Sequence, residues 1–257
     1  MANATRILFI TGEVAPFSST SELSKLVRSL PESLHESGKF ETRIMMPRYG
    51  TVSERRNRLH EVIRLSGSEI TLGDRTETLR VKVASIPGIR LQVYFMDNAY
   101  YFKRKGIFAD KQGNHFEDNL ERSAFYARSV IRTIRNLGWQ PDLVHAFGWL
   151  SGMVPYVLRT EFGEDELFKD SKIVYTPEEV DFDLRFAEET FSNLSMARHP
   201  DLIGGSPVDA GKRFADATIY PPSMSDSADG PLFSGVPEQE MDEAVAVYEN
   251  VLNGVTV

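Results

Sequence analysis

The residues able to do chemistry fall in a few clusters, the first of them a polar loop. Gly12 closes a short apolar run, and the serine-rich stretch Phe17-Ser18-Ser19-Thr20-Ser21 follows. The loop contains no Gly-x-Gly-x-x-Gly and no Walker-type run, so it carries no phosphate-binding signature. Ser21 has the simpler role of capping the helix that follows. The five histidines are His35, His60, His115, His145 and His199. None makes a His-x-x-x-His or His-Glu-x-x-His pattern, and no metal site is expected. His145 stands out because it follows Asp142-Leu143-Val144 at the carboxyl end of an apolar segment. It is either a ligand contact or a structural histidine bonded inside the fold. Tyr100, Tyr101 and Phe102 precede Lys103, Arg104 and Lys105. Aromatics beside cations can stack on sugars or bases, or simply pack a loop on the body. The acidic pairs Glu178-Glu179 and Glu188-Glu189 read as a solvated face, and spacing alone gives Asp181 and Asp183 no acid–base role.

These residues need elements to position them. Arg6 to Ile10 is apolar throughout, as suits a central strand of a parallel sheet. Leu23, Leu26, Val27, Leu30 and Leu34 recur at steps of three and four, a helix face. Pro31 is expected to kink or split that helix, and Gly38 to stop it. Thr42 to Met46 is a second strand, which completes a βαβ unit with a right-handed crossover. Ligands of such sheets sit beyond the carboxyl ends of the strands, which points to the 12–21 loop. Runs at 62–65, 69–72, 79–83 and 91–95, divided by Gly73-Asp74 and Pro87-Gly88, read as inserted hairpins. A helix is expected over Asn119 to Leu137, ended by Gly138. Then come a strand at Leu143-Val144-His145, a helix over Leu150 to Arg159, a strand at Lys172 to Thr176, helical character over Phe182 to Met196, and a last strand at Ala217 to Tyr220. Residues 221–237, rich in serine, proline, glycine and aspartate, read as a flexible loop. A final helix runs from Glu238 to Asn253, its acidic first turn matched to the helix dipole. No composition break divides residues 1–257, which read as a single α/β domain: a doubly wound, Rossmann-like parallel sheet with inserted β-hairpins.

Composition limits the function. The 257 residues are 41% apolar and 26% charged, enough for a sizeable core. A net charge of -8 argues against nucleic acid or anionic membrane as partner. The absence of cysteine excludes thiolate catalysis, disulfides and cysteine-held metals. No signal-peptide or membrane-length run occurs, and a cytoplasmic location is expected.

Several segments together resemble bacterial glycogen synthases and plant starch synthases. The opening Arg6-Ile7-Leu8-Phe9-Ile10-Thr11-Gly12-Glu13-Val14-Ala15-Pro16-Phe17 matches that family's first strand and turn. Leu30-Pro31, Met46-Pro47-Arg48-Tyr49-Gly50, Tyr101-Phe102-x-Arg104-x-Gly106-Ile107-Phe108 and Asp118-Asn119-x-Glu121-Arg122-x-Ala124-Phe125 follow in order. Pro141-Asp142-Leu143-Val144-His145 then leads into Trp149-x-x-Gly152-x-x-Pro155. The resemblance implies the N-terminal, acceptor-side half of a GT-B glycosyltransferase, which adds glucose from ADP-glucose to an α-1,4-glucan without a metal. On that basis Tyr101, Asp118, Asn119, His145 and Trp149 are expected to contact glucan or a malto-oligosaccharide.

The departures from the family pattern concern the catalytic groups. Where the family has Lys-x-Gly-Gly-Leu, this chain has Ser19-Thr20-Ser21-Glu22-Leu23, and Glu22 adds negative charge where phosphates would lie. Where it has His-x-His-Asp-Trp, this chain has His145-Ala146-Phe147-Gly148-Trp149. A family Thr-Ile-His-Asn becomes Thr176-Pro177-Glu178-Glu179, and Val257 comes before the donor-binding half. The expected protein is therefore a glycogen/starch synthase-like homologue without independent catalysis, needing no cofactor, with a glucan-binding or regulatory role. The alternatives are a repurposed interaction protein and the acceptor subunit of a split glucosyltransferase. A protein partner or a second copy is expected to cover the cleft face, with Phe147 as a contact.

Overall fold

The computed structural model describes residues 4–89 and 91–255. In chain order the strands are β1 (Thr5–Thr11), β2 (Phe40–Pro47), β3 (His60–Glu61), β4 (Ser68–Leu72), β5 (Arg75–Ser85), β6 (Gln92–Asp97), β7 (Leu143–Phe147), β8 (Lys172–Thr176) and β9 (Ala217–Thr218). The helices are α1 (Leu23–Glu36), α2 (Glu54–Asn57), α3 (Asn119–Leu137), α4 (Gly148–Ser151), α5 (Met153–Glu161), α6 (Thr190–Asn193), α7 (Pro207–Phe214) and α8 (Pro237–Leu252).

The sheet order is β3-β5-β6-β2-β1-β7-β8-β9, with β4 paired to β5. From β6 to β9 every pairing is parallel. The β3, β4 and β5 pairings are antiparallel and form the inserted hairpin region. Strand β1 is central because Ile7, Leu8, Phe9 and Ile10 are buried on both faces. The chain leaves β1 for β2 on one side and later returns to β7 on the other. That change of direction opens a crevice at the carboxyl ends of β1 and β7. Tyr126 of α3 ties β1 to β2 beside it: its hydroxyl lies 2.8 Å from the Thr11 carbonyl oxygen and 2.7 Å from that of Met45, and shares one proton between them.

Helix α1 runs unbroken through Pro31, contrary to the expected kink. Leu26, Val27, Leu30, Pro31 and Leu34 form one buried face, and that packing outweighs the single hydrogen bond the proline removes. The run 62–65 is a short 3₁₀ turn rather than a strand, because β3 ends at Glu61 and only Leu65 of the turn is buried. The segment 150–159 is broken at Gly152, where the chain passes so close to α7 that an added Cβ would lie 2.2 Å from the Pro207 carbonyl oxygen. Only Thr190–Asn193 is helical between 182 and 196. Leu184, Phe186, Phe191, Leu194 and Met196 are buried as separate anchors, not along one helix face. Residues 221–237 carry a 3₁₀ turn at Pro222–Ser227 and bury Met224 and Phe233.

Candidate functional site

A cleft of about 680 Å³ lies at the crevice beyond β1, β7 and β8. Its walls are the loop from Gly12 to Ser21, the loop from Lys105 to Asp110, and the strand ends carrying Phe147, Trp149, Glu178 and Glu179. A second pocket of about 270 Å³ adjoins it and shares Phe108, Trp149, Glu178 and Glu179.

Glu13 organises the first wall. Its carboxylate is buried and accepts a hydrogen bond from the Ser18 hydroxyl. The Thr20 amide donates to it at 3.0 Å, the Thr20 hydroxyl at 2.8 Å and the Ser21 amide at 3.0 Å. Both carboxylate oxygens thus hold loop donors, and the loop curls round its own anion. Ser21 does not cap α1: Glu22 occupies that position and makes no side-chain cap. The Glu22 side chain instead accepts a hydrogen bond from Ser223, on the far side of α1's first turn.

Glu178 organises the opposite wall. It stands over Gly148, where a Cβ would lie only 2.6 Å from Glu178 Oε2. Gly148 has φ +75°, a left-handed conformation that suits glycine. Removal from water raises the Glu178 carboxyl to about 7, and the nearby Glu13 charge adds to the rise. The Trp149 backbone amide and the Ser21 hydroxyl pull it back, and Glu22 pushes it up a little more.

Aromatic side chains form a shelf beside Glu178. Phe108 stacks on Phe182 with centroids 5.2 Å apart and planes 9° from parallel. Trp149 meets Phe182 edge-on at 5.3 Å, and His115 lies 4.9 Å from the same ring. Among the described lining residues Lys105 is the one cation, against Glu13, Asp110, Glu178 and Glu179.

Of the residues singled out in the sequence as glucan contacts, only Trp149 lines the cleft. His145 is fully buried, its Nδ1 2.6 Å from the Tyr248 hydroxyl and its Nε2 2.8 Å from the Thr176 hydroxyl. Burial holds it well below the usual histidine range. Tyr101 is buried against Phe125 at 4.5 Å. Asp118 pairs with Arg104 at 2.5 Å. Asn119 donates to the Phe108 carbonyl at 2.8 Å and accepts from Arg122 at 2.6 Å. The last three brace the 100–110 loop that forms one cleft wall. Ser19, Thr20 and Ser21 line the cleft, whereas Glu22 does not. Phe147 is fully buried and stacks on His145 at 3.8 Å, so it is not a free surface contact. Sequence reasoning gave Phe182 no site role, met Glu13 and Phe108 only inside family motifs, and read Glu178 as part of a solvated acidic pair and of a segment that departs from the family pattern. The signal for Glu178 was present as glycine at 148 and a glutamate at 178, but only the pairing of β7 with β8 brings the two together.

The profile of the family described as the starch synthase catalytic domain matches residues 6–220. The glycogen synthase of Chlorobium limicola is 43% identical over 219 residues, covering 77% of this chain and 45% of that protein. The glycogen synthase of Chlorobaculum parvum is 34% identical over 263 residues, covering 97% of this chain and 53% of that one. The chain thus spans about half the length of the curated relatives it matches. In fold it is similar to the catalytic domain of starch synthase IV from Arabidopsis thaliana, solved with ADP and acarbose. There the TM-score is 0.72 at 17% identity, over 84% of this chain and 45% of that one. With the parallel sheet, the crevice beyond β1 and β7 and a family match from Arg6 to Tyr220, the chain belongs to the starch synthase catalytic domain family and has the Rossmann-like architecture of a GT-B half.

Proposed function

We propose that this protein is a glycogen synthase-like homologue that binds α-1,4-glucan in the cleft without transferring glucose itself, as a glucan-binding or regulatory protein. The observation that carries this reading is the loop after β1, whose amides and hydroxyls turn inward onto Glu13. Catalysis at a nucleotide sugar needs preorganised donors and positive charge around the departing diphosphate. Here those donors are already engaged, and the cleft carries carboxylates that would repel phosphate in a partly dry site. A neutral, polyhydroxylated ligand meets no such penalty. Carboxyl oxygens accept its hydroxyls, and the partly exposed Phe108 and Phe182, backed by Trp149, offer apolar surface to its rings. Relatives named glycogen synthase make a glucan the natural class of ligand. A cytoplasmic location accompanies this reading, and among the described residues no helix is long and apolar enough to cross a membrane.

Co-sedimentation with glycogen, run beside an assay for ADP release from ADP-glucose, tests the proposal. The protein should pellet with glycogen and release no ADP above the blank. Protein left in the supernatant would overturn glucan binding, and ADP release with chain extension would overturn the non-catalytic reading.

A further inference from the structure

Glu178 is the only residue of the cleft described here whose carboxyl stands in the place of another residue's missing side chain. A Cβ at Gly148 would lie 2.6 Å from Oε2 of Glu178 and 3.5 Å from Leu23 Cδ1. The volume above Gly148 is therefore filled by a carboxyl delivered from the end of β8. The same carboxyl lies at the junction of the 680 Å³ cleft and the 270 Å³ pocket, lining both together with Trp149 and Phe108. The pocket beyond it is walled by Phe182, which stacks on Phe108 and is met edge-on by Trp149.

We propose that Glu178 is the specificity-determining residue of the cleft: its carboxyl, held over Gly148, pairs with hydroxyls of a neutral oligosaccharide whose rings lie on the Phe108–Trp149–Phe182 shelf. This rests on the glucan-binding reading above and adds to it the residue that recognises the sugar. The surroundings favour a carboxyl that can keep its proton. The charges of Glu13, after β1, and of Glu22, at the start of α1, raise it, and the Ser21 hydroxyl lowers it. From the end of β2 it acts on the Tyr49 phenol, and from β8 on that of Tyr175. Lys105, Asp110 and Glu179 line the same cleft. A carboxyl raised to about 7 is partly protonated at neutral pH. It can then both donate to and accept from a sugar hydroxyl. A ligand that expels more water favours the protonated form further, so binding takes up a proton and weakens as pH rises.

The test is calorimetric titration of the whole chain with a malto-oligosaccharide at pH 6 and pH 8, for the wild type, Glu178→Gln and Glu178→Ala. The near-isosteric glutamine guards against loss of fold. Wild-type affinity should fall several-fold from pH 6 to pH 8, the glutamine variant should show a flat profile, and the alanine variant should bind roughly tenfold more weakly at pH 6. Wild-type affinity in the alanine variant, or an unchanged pH profile in the glutamine variant, overturns the role of Glu178 and leaves glucan binding standing. No binding by the wild type overturns both. The geometry has its own check without sugar: Gly148→Ala should lower the unfolding midpoint, and Gly148→Ala with Glu178→Ala should recover part of it. A double variant no more stable than the single one would show that Glu178 does not hold that volume.

Discussion

At Glu13 one carboxylate receives donors from Ser18, Thr20 and Ser21, and charge-assisted bonds of this kind are among the stronger ones. Glu13→Ala is expected to cost about 1–3 kcal/mol and to speed hydrogen exchange at the Thr20 and Ser21 amides. Unchanged exchange there would show that the carboxylate does not hold the loop. Glu178 works in the other direction. Its folded value of about 7 lies above the ordinary 4.5, so its contribution to stability is complete below about 4.5 and is lost as pH rises through 7. The swing is at most roughly 3 kcal/mol. Glu178→Gln should therefore gain on the wild type between pH 5 and pH 8 in urea midpoint, and a parallel pH dependence of the two proteins would count against the raised value. His145, held low by burial, has the opposite sign. Its stability is present above about 6.5 and is lost as pH falls from there toward its depressed folded value.

Helix α8 is tied to the strand ends beneath the cleft. It buries Ala244, Val247, Tyr248 and Val251, and the Tyr248 hydroxyl partners His145. Tyr248→Phe leaves a buried ring nitrogen without a partner and should cost about 1–3 kcal/mol, read as a lowered thermal midpoint. The Gly152 break matters for a different reason. Gly152→Ala would drive a Cβ into the Pro207 carbonyl oxygen at 2.2 Å, and backbone on both sides leaves little room to give. A loss of about 2 kcal/mol or more is expected, measured by denaturant unfolding. The long helix α3 was legible in the sequence because its apolar residues follow one strong period up to Gly138, and β8 because it is a short apolar run stopped by Pro177. The stretch 182–196 was not legible. Its apolar residues anchor one by one to different parts of the fold, Phe191 to Tyr156 of α5 and Phe182 to Phe108 and Trp149, and a local pattern does not record such contacts. Pro31 misled for the same reason, since the face that rescues α1 is tertiary.

Across the whole molecule, the sequence located the crevice through the strand–loop–helix pattern after β1, and the structure opens the cleft there. Chemistry within the cleft was harder to foresee. Glu178 and Glu179 look like a solvated acidic pair until β8 is laid beside β7 and one of them covers Gly148. His145 looked equally open to two roles, and the sheet buries it against α8. The result is half of a sugar-transferase architecture whose cleft is acidic and aromatic, with its loop donors folded onto an internal carboxylate. The most direct test is a calorimetric titration with a malto-oligosaccharide near neutral pH, compared with ADP under the same conditions. Saturable sugar binding, weakened by Trp149→Ala, with no detectable ADP binding is the expected result. Binding of ADP with no heat from millimolar sugar would contradict it.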